Sequence, residues 1–256
     1  MLLVVLLAVI AAGVTVFLKP LKYLSSATAI PANSALSDKA RIFNENIEGL
    51  YSSLGGSDDI DLVIGTGQLD TVYLAVTDQF NLFDHYKITG PGDLSRRKAA
   101  LCLKKNTRII KSDYRELKVK VWDTDKDLAP QLANALLNEL QSIHKELQSE
   151  SNTSTLESLI KGMQKLKDSI VHSDIRSDTS GRSILKNQLQ KYQQLIAEYQ
   201  LMVDSKPPAL LVVENARPAL CPDKPKRWEA IIAAAVLSFL FSFLLALVLE
   251  KRKTSQ

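Results

Sequence analysis

The sequence predicts an α+β protein in which two transmembrane helices flank one extracytoplasmic domain, a small membrane-proximal α/β layer with a long helical hairpin projecting from it. Uncharged apolar runs occupy residues 1–18 and 230–249. Short strand-like stretches lie on both sides of a long region whose leucines step by three and four residues. Strands before and after a hairpin return the chain to the place where it left the membrane.

Ala230 to Leu249 carries no charge, and at about 1.5 Å rise per residue it covers the roughly 30 Å of bilayer hydrocarbon. Arg227 and Trp228 flank one edge and Glu250, Lys251, Arg252 and Lys253 the other, as interfacial residues do. Met1 to Leu18 is longer than a signal-peptide core, and the small triplet Ala27, Thr28, Ala29 lies well downstream of it. A retained membrane helix is therefore expected over a cleaved signal. No basic residue precedes this run, which leaves a start further upstream open. The loop-side flanks Lys19, Lys22, Lys224, Lys226 and Arg227 outnumber the basic residues of the tail, so charge counting alone does not place the tail inside. A long hydrophilic segment is translocated largely regardless of charge, and both termini are read as cytoplasmic.

The intervening elements follow in order. "LKYLSSATAIP" predicts a short strand over Lys22 to Ile30, closed by Pro31. Ser37 is a helix cap before Ile42, Phe43, Ile47, Leu50 and Tyr51, with Gly55-Gly56 as the stop. Val72, Val76, Phe80 and Phe83 predict a second helix across "DIDLVIGTGQLDTVYLAVTDQFNLFDHYKI", and "SRRKAALCLKKNTRII" a third. In "RELKVKVWD", Leu117, Val119 and Val121 alternate with Lys118 and Lys120, the strand pattern.

Leu132, Leu136, Leu140, Ile143 and Leu147 then form a helical stripe. "SNTST" is expected to interrupt it before Leu156, Ile160, Met163, Leu166 and Ile170 resume. The chain turns near Arg176 to Gly181 and returns through Leu185, Leu189, Tyr192, Ile196 and Tyr199, an antiparallel hairpin. Leu210 to Val213 is a final apolar strand. The expected organisation is a first span at 1–18, an α/β part at 19–124, a hairpin arm at 125–204, a returning strand and Pro-rich segment at 205–229, a second span at 230–249 and a tail at 250–256.

The formal net charge of +4 is spread evenly, with no basic run interleaved with aromatics, which excludes a nucleic-acid partner. Cys102 and Cys221 are the only cysteines; a disulfide and a pair of unlinked buried thiols both stay open. Gly65 and Gly67 lack the third glycine and the preceding strand of a dinucleotide loop, and no phosphate-binding GxxxxGK[ST] occurs. Asp58, Asp59 and Asp61 fit a solvated turn and helix start better than a pair of glycosidase acids. His85, His144 and His172 have no second ligand at helical spacing; His144 and His172 are expected in solvent. No catalytic, cofactor-binding or metal-binding residue is assigned, no cofactor is expected, and the chain is read as a non-enzyme.

Two features stand out. Ala230, Ala234, Ser238, Ser242 and Ala246 recur every four residues, giving the second span a small-residue face for close helix packing. Ala8, Ala12 and Thr15 offer a smaller match in the first span, and a neighbouring subunit is the other candidate partner. Pro218, Pro222 and Pro225 enforce extended, stiff backbone, a spacer or a docking site for a polymerase. Lys161, Lys165, Lys167 and Arg176 are read as a solvated hairpin face in preference to a sugar-binding one.

Three stretches carry a family likeness: "LKYLSSATAI", "LKVKVWDTDKDLAPQLANALLNEL" and "ENARPALCPDKPKRWEA". With the layout of the parts, the chain resembles the polysaccharide co-polymerases, the Wzz-type chain-length determinant proteins. Its hairpin is shorter than theirs, and it lacks the basic residues usual before their first helix. The resemblance implies a two-pass bacterial inner-membrane protein with a periplasmic domain, forming a homo-oligomeric ring. The implied role is to set the chain length of a cell-surface polysaccharide: lipopolysaccharide O-antigen, capsule or exopolysaccharide. The lipid bilayer and the glycan polymerase or export machinery are its implied partners, with the growing polysaccharide left open as another. Two alternatives remain: a transmembrane activator of a separate tyrosine kinase, disfavoured by the short, tyrosine-free "EKRKTSQ", and a periplasmic ligand-binding sensor.

Overall fold

The computed structural model describes residues 10–11, 13–32, 57–173 and 179–254. Residues 13–18 are helical, and β1 (Tyr23–Pro31) follows. It joins β2 (Thr107–Lys111), β3 (Leu117–Asp123) and β4 (Leu210–Glu214) in an antiparallel sheet of order β2-β3-β1-β4. Ser25, Ala27 and Ala29 of β1 stand opposite Val121, Val119 and Leu117 of β3 and are buried with them on the inner face. Thr107 and Ile109 of β2 extend that face through Val121 and Val119. The opposite face shows Lys118, Lys120 and Arg108, as period-2 alternation requires.

The inner face is covered by α1 (Ser57–Thr66), α2 (Asp70–Phe80), α3 (Leu82–His85), α4 (Gly92–Lys105) and the start of α5 (Leu128–Ser173). Leu132, Leu136 and Leu140 of α5 are fully buried, together with Val72 and Val76 of α2 and Leu103 of α4. Each such side chain contributes about 1.5–3 kcal/mol by leaving water. Side chains on β1 are small enough to let α5 lie directly on the strand.

Several expectations are corrected. The single helix predicted around residues 60–88 is three: α1 ends beside Gly65 and Gly67, and Asn81 adopts φ 49, ψ 47 between α2 and α3. Asparagine tolerates that left-handed conformation, and its N–H caps the Thr77 carbonyl. "NTRII", read as helix, is β2, because the α4 pattern stops at Asn106 and the β-branched residues pair along Val119 and Val121.

The expected break at "SNTST" is absent: α5 runs unbroken for 46 residues. Hydroxyls of Thr153, Thr155 and Ser158 donate to the carbonyls of Ser149, Ser151 and Ser154 at 2.8–2.9 Å, so these polar residues bond back into the helix and not against it. α6 (Thr179–Ser205) returns antiparallel along α5, with Tyr192 packed over Gly162. The helix expected over Ser37–Tyr51, most of the first span and part of the hairpin tip lie outside the described residues.

Gly67 sits where α1 approaches β2. A Cβ there would stand 2.5 Å from Ile109 Cδ1. Gly67→Ala is expected to destabilise the protein by about 1–2 kcal/mol through overpacking, and Ile109→Val to recover part of that loss by removing the clashing methyl. A thermal-denaturation double-mutant cycle checks this; additive shifts would show that the two positions do not meet.

Candidate functional site

The inward parity of β3 runs Leu117, Val119, Val121 and ends on Asp123, 2% exposed. A carboxylate there needs donors on both oxygens. His85 Nε2 donates to Oδ1 at 2.8 Å, Tyr86 Oη to Oδ2 at 3.1 Å, and the Asp125 amide to Oδ1 at 2.9 Å. Asp125 in turn accepts the amides of Asp127 and Leu128 and starts α5, with Pro130 inside the first turn where its missing N–H costs nothing. Asp123 thus joins the α3 end, the β3 end and the root of the long helix. It was missed from sequence, although an acid on the inward parity of an alternating strand is the signal that finds it.

The adjoining outward residue, Trp122, ties the sheet to the segment before α7 (Arg227–Thr254). Its Nε1 donates to Asp223 Oδ2 at 2.6 Å, and Lys224 Nζ lies 3.7 Å from the ring centroid, a cation–π contact. Lys22 and Lys224 bridge through their backbones, and Lys22 Nζ reaches Asn106 Oδ1 at 2.7 Å. The residues between β4 and α7 are anchored twice more: Ser25 Oγ donates to the Arg217 carbonyl at 2.5 Å, and Asn134 of α5 brackets Ala216, accepting its N–H at 2.8 Å and donating to its carbonyl at 3.3 Å. Pro218, Pro222 and Pro225 therefore lie in a non-helical strap fastened to β1, β3 and α5. Arg227 stacks over Phe17 at 4.5 Å, bringing the ends of the two apolar segments together.

Arg227–Leu244 is, among the described residues, the one helical stretch long and apolar enough to cross a membrane, and only 11% of it is buried. That exposure separates it from a core helix. Ala230, Ala234 and Ser238 are half-buried and Ser242 is 5% exposed, while Val236, Leu237 and Phe239 stand out by more than half. The side chain of Ala246, and Ala8 and Ala12, lie outside the described residues.

The chemical candidates disperse. Gly65 is in the last turn of α1 and Gly67 just after it, following a helix and not the strand a dinucleotide loop needs. Asp58 and Asp59 fall in the first turn of α1, and Asp61 pairs with Lys111 at 3.1 Å. His144 is buried, not solvated, because α5 is still against the core at that point. Cys102 and Cys221 are unlinked, and Cys221 is exposed, not buried. A cleft of about 430 Å³ between α2 and α4 holds Asp70, Asp93, Arg96 and Arg97. Its charges neutralise one another: Arg96 grips Asp78 bidentately and holds that carboxyl below its usual range, Arg97 meets Asp93, and Lys104 meets Asp70. No nucleophile with an adjacent base lines it.

The chain matches no protein-family model and no curated protein. Among solved structures it is similar to a full-length bacterial polysaccharide co-polymerase, at 13% identity and TM-score 0.39, over 98% of this chain and 94% of that one. At that score the likeness carries no argument. The site is instead defined by its own contacts, a polar junction where the sheet, the long helix and the segment leading into the apolar helix α7 meet.

Asp123→Ala strands three donors, and a destabilisation of about 3 kcal/mol is expected from the loss of charge-assisted bonds in a buried place; an unchanged melting midpoint would deny the junction its structural role. Alkaline stability gives a second test. Burial, then the Asp70 charge, pushes the Tyr73 phenol up to about 12, and burial, then Asp123, also raises Tyr86. Both stay protonated while unfolded tyrosines ionise near 10, so stability present below about pH 10 is lost as pH rises, by roughly 1.4 kcal/mol per pH unit per group until the folded phenol titrates. Tyr73→Phe should flatten the fall between pH 10 and 12; an unaltered slope would contradict the assignment.

Proposed function

We propose that the chain is a non-enzymatic, Wzz-type regulator of cell-surface polysaccharide chain length, a two-pass bacterial inner-membrane protein whose folded part is periplasmic. One observation carries this reading. The three stretches with family likeness, far apart in sequence, meet in space: "LKYLSSATAI" holds β1, "LKVKVWDTDKDLAPQLANALLNEL" holds β3, Asp123 and the root of α5, and "ENARPALCPDKPKRWEA" is the strap. Ser25–Arg217, Asn134–Ala216 and Trp122–Asp223 are contacts between them. The likeness therefore falls on one continuous unit at the root of the second span.

A homo-oligomer, closing into a ring, is the form in which such a scaffold would meet the polymerase. Leu147 and Ile160 of α5 and Ile184 and Leu201 of α6 are 44–68% exposed, an apolar content that a two-helix arm cannot cover by itself. The small-residue face of α7 supplies a second seam, against the first span or a neighbouring subunit.

Deleting the gene is expected to change the length distribution of the lipid-linked glycan on a gel; an unaltered ladder would refute the proposal. Leu147→Asp with Leu201→Asp should leave the helical content intact and shift the solubilised protein to smaller species in light scattering. An unchanged mass would place the seam elsewhere.

A further inference from the structure

The strap does not run evenly along β1. Glu214 is opposite Thr28 and Lys224 is opposite Lys22, so ten steps of the strap accompany six steps of the strand, a surplus of four. The excess is shed in one place, since Arg217 is still held by Ser25 and Asp223 is already held by Trp122. What loops out is Pro218-Ala219-Leu220-Cys221-Pro222, an uncharged run flanked directly by Arg217 and Asp223, with Lys224, Lys226 and Arg227 just beyond and Glu229 paired to Lys226. Leu220 is 100% exposed and Cys221 is exposed.

We propose that this loop is an interfacial anchor whose occupant is the lipid surface, with Leu220 and Cys221 seated at the boundary between headgroups and acyl chains. The base of the loop is fastened at the Lys22–Lys224 bridge, and the apolar window of α7 begins at Arg227, three residues beyond it. A loop rooted that close to the bilayer and apolar at its tip, with Lys224 and Arg227 between it and the apolar helix, has the composition of an interfacial segment. A second copy or a partner protein would also cover a leucine. The continuity with the span, and the cations Arg217, Lys224 and Arg227, which suit lipid phosphates, favour the membrane. The prolines and the two-sided fastening hold the tip in one conformation, so it enters the interface with little ordering cost. The inference rests on α7 crossing lipid and is independent of any role in polysaccharide synthesis.

The native cysteine supplies the probe. The full chain carrying Cys102→Ala is spin-labelled at Cys221 and placed in phosphatidylethanolamine–phosphatidylglycerol nanodiscs, with Tyr114→Cys in a chain lacking both native cysteines as the solvated reference. Tyr114, 85% exposed, lies in the turn between β2 and β3. The label at Cys221 is expected to be relaxed more by oxygen, which partitions into lipid, than by a water-soluble nickel chelate, and the reference label the reverse. Equal access of both reagents at Cys221 and Tyr114 would overturn the anchor. Protection from both reagents would overturn it too, in favour of burial against protein. Leu220→Cys in the chain lacking both native cysteines repeats the measurement one residue away, and the melting midpoint of each variant verifies that it is folded.

Discussion

The inner face of β1 carries serine and alanine where β3 carries valine and leucine, and the seating of α5 on the sheet depends on that difference. Alanine is a poor strand former, so its recurrence on the central pairing strand answers to space. Large side chains at positions 25, 27 and 29 would lift α5 away from the sheet and separate Asn134 from Ala216. They would also open the pocket that keeps Asp123 from water. One small-residue surface therefore lets the helix root, the strap and the buried carboxylate occupy the same corner.

That corner is polar where a domain core is usually apolar. Asp123 and Trp122 are neighbours in sequence yet face opposite sides of the sheet, the first holding α3 and the start of α5, the second holding the strap that leads into α7. Hydrogen bonds fix direction as well as proximity, so α5 and α7 are oriented relative to the same strand end. Apolar packing of equal area would have tolerated sliding.

Periodicity made the long elements legible: the alternation of residues 117–121 is β3, and Leu132, Leu136 and Leu140 of the predicted stripe are the buried side of α5, whereas Leu147 is exposed. The failures have local causes. "SNTST" looks like a breaker by composition, but its hydroxyls return to the helix's own carbonyls. β2 was hidden because it follows α4 without a turn signal, and its five residues acquire a strand's meaning only beside β3. The junction was illegible for another reason: His85 and Tyr86, Asp123 and Asn134, and Asp223 belong to three separate stretches, and only the packing of helices on the sheet brings them together. The prolines were visible at once, whereas the surplus of strap over strand is a property of pairing and appears in neither segment alone.

α5 packs on the core near its root, through Leu140 and His144; beyond that, about thirty residues continue beside α6, where Leu156 is the one further buried apolar side chain of α5 among the described residues. At about 1.5 Å per residue that free length is roughly 40 Å, so a reorientation of the root by some five degrees would sweep the far end through several ångströms. The strap fastened to the same root by Asn134 would feel the rotation at short radius, as a much smaller displacement. The hairpin and its root have the mechanics of a pointer and its pivot, in which motion too slight to disturb the strap becomes large at the distal end.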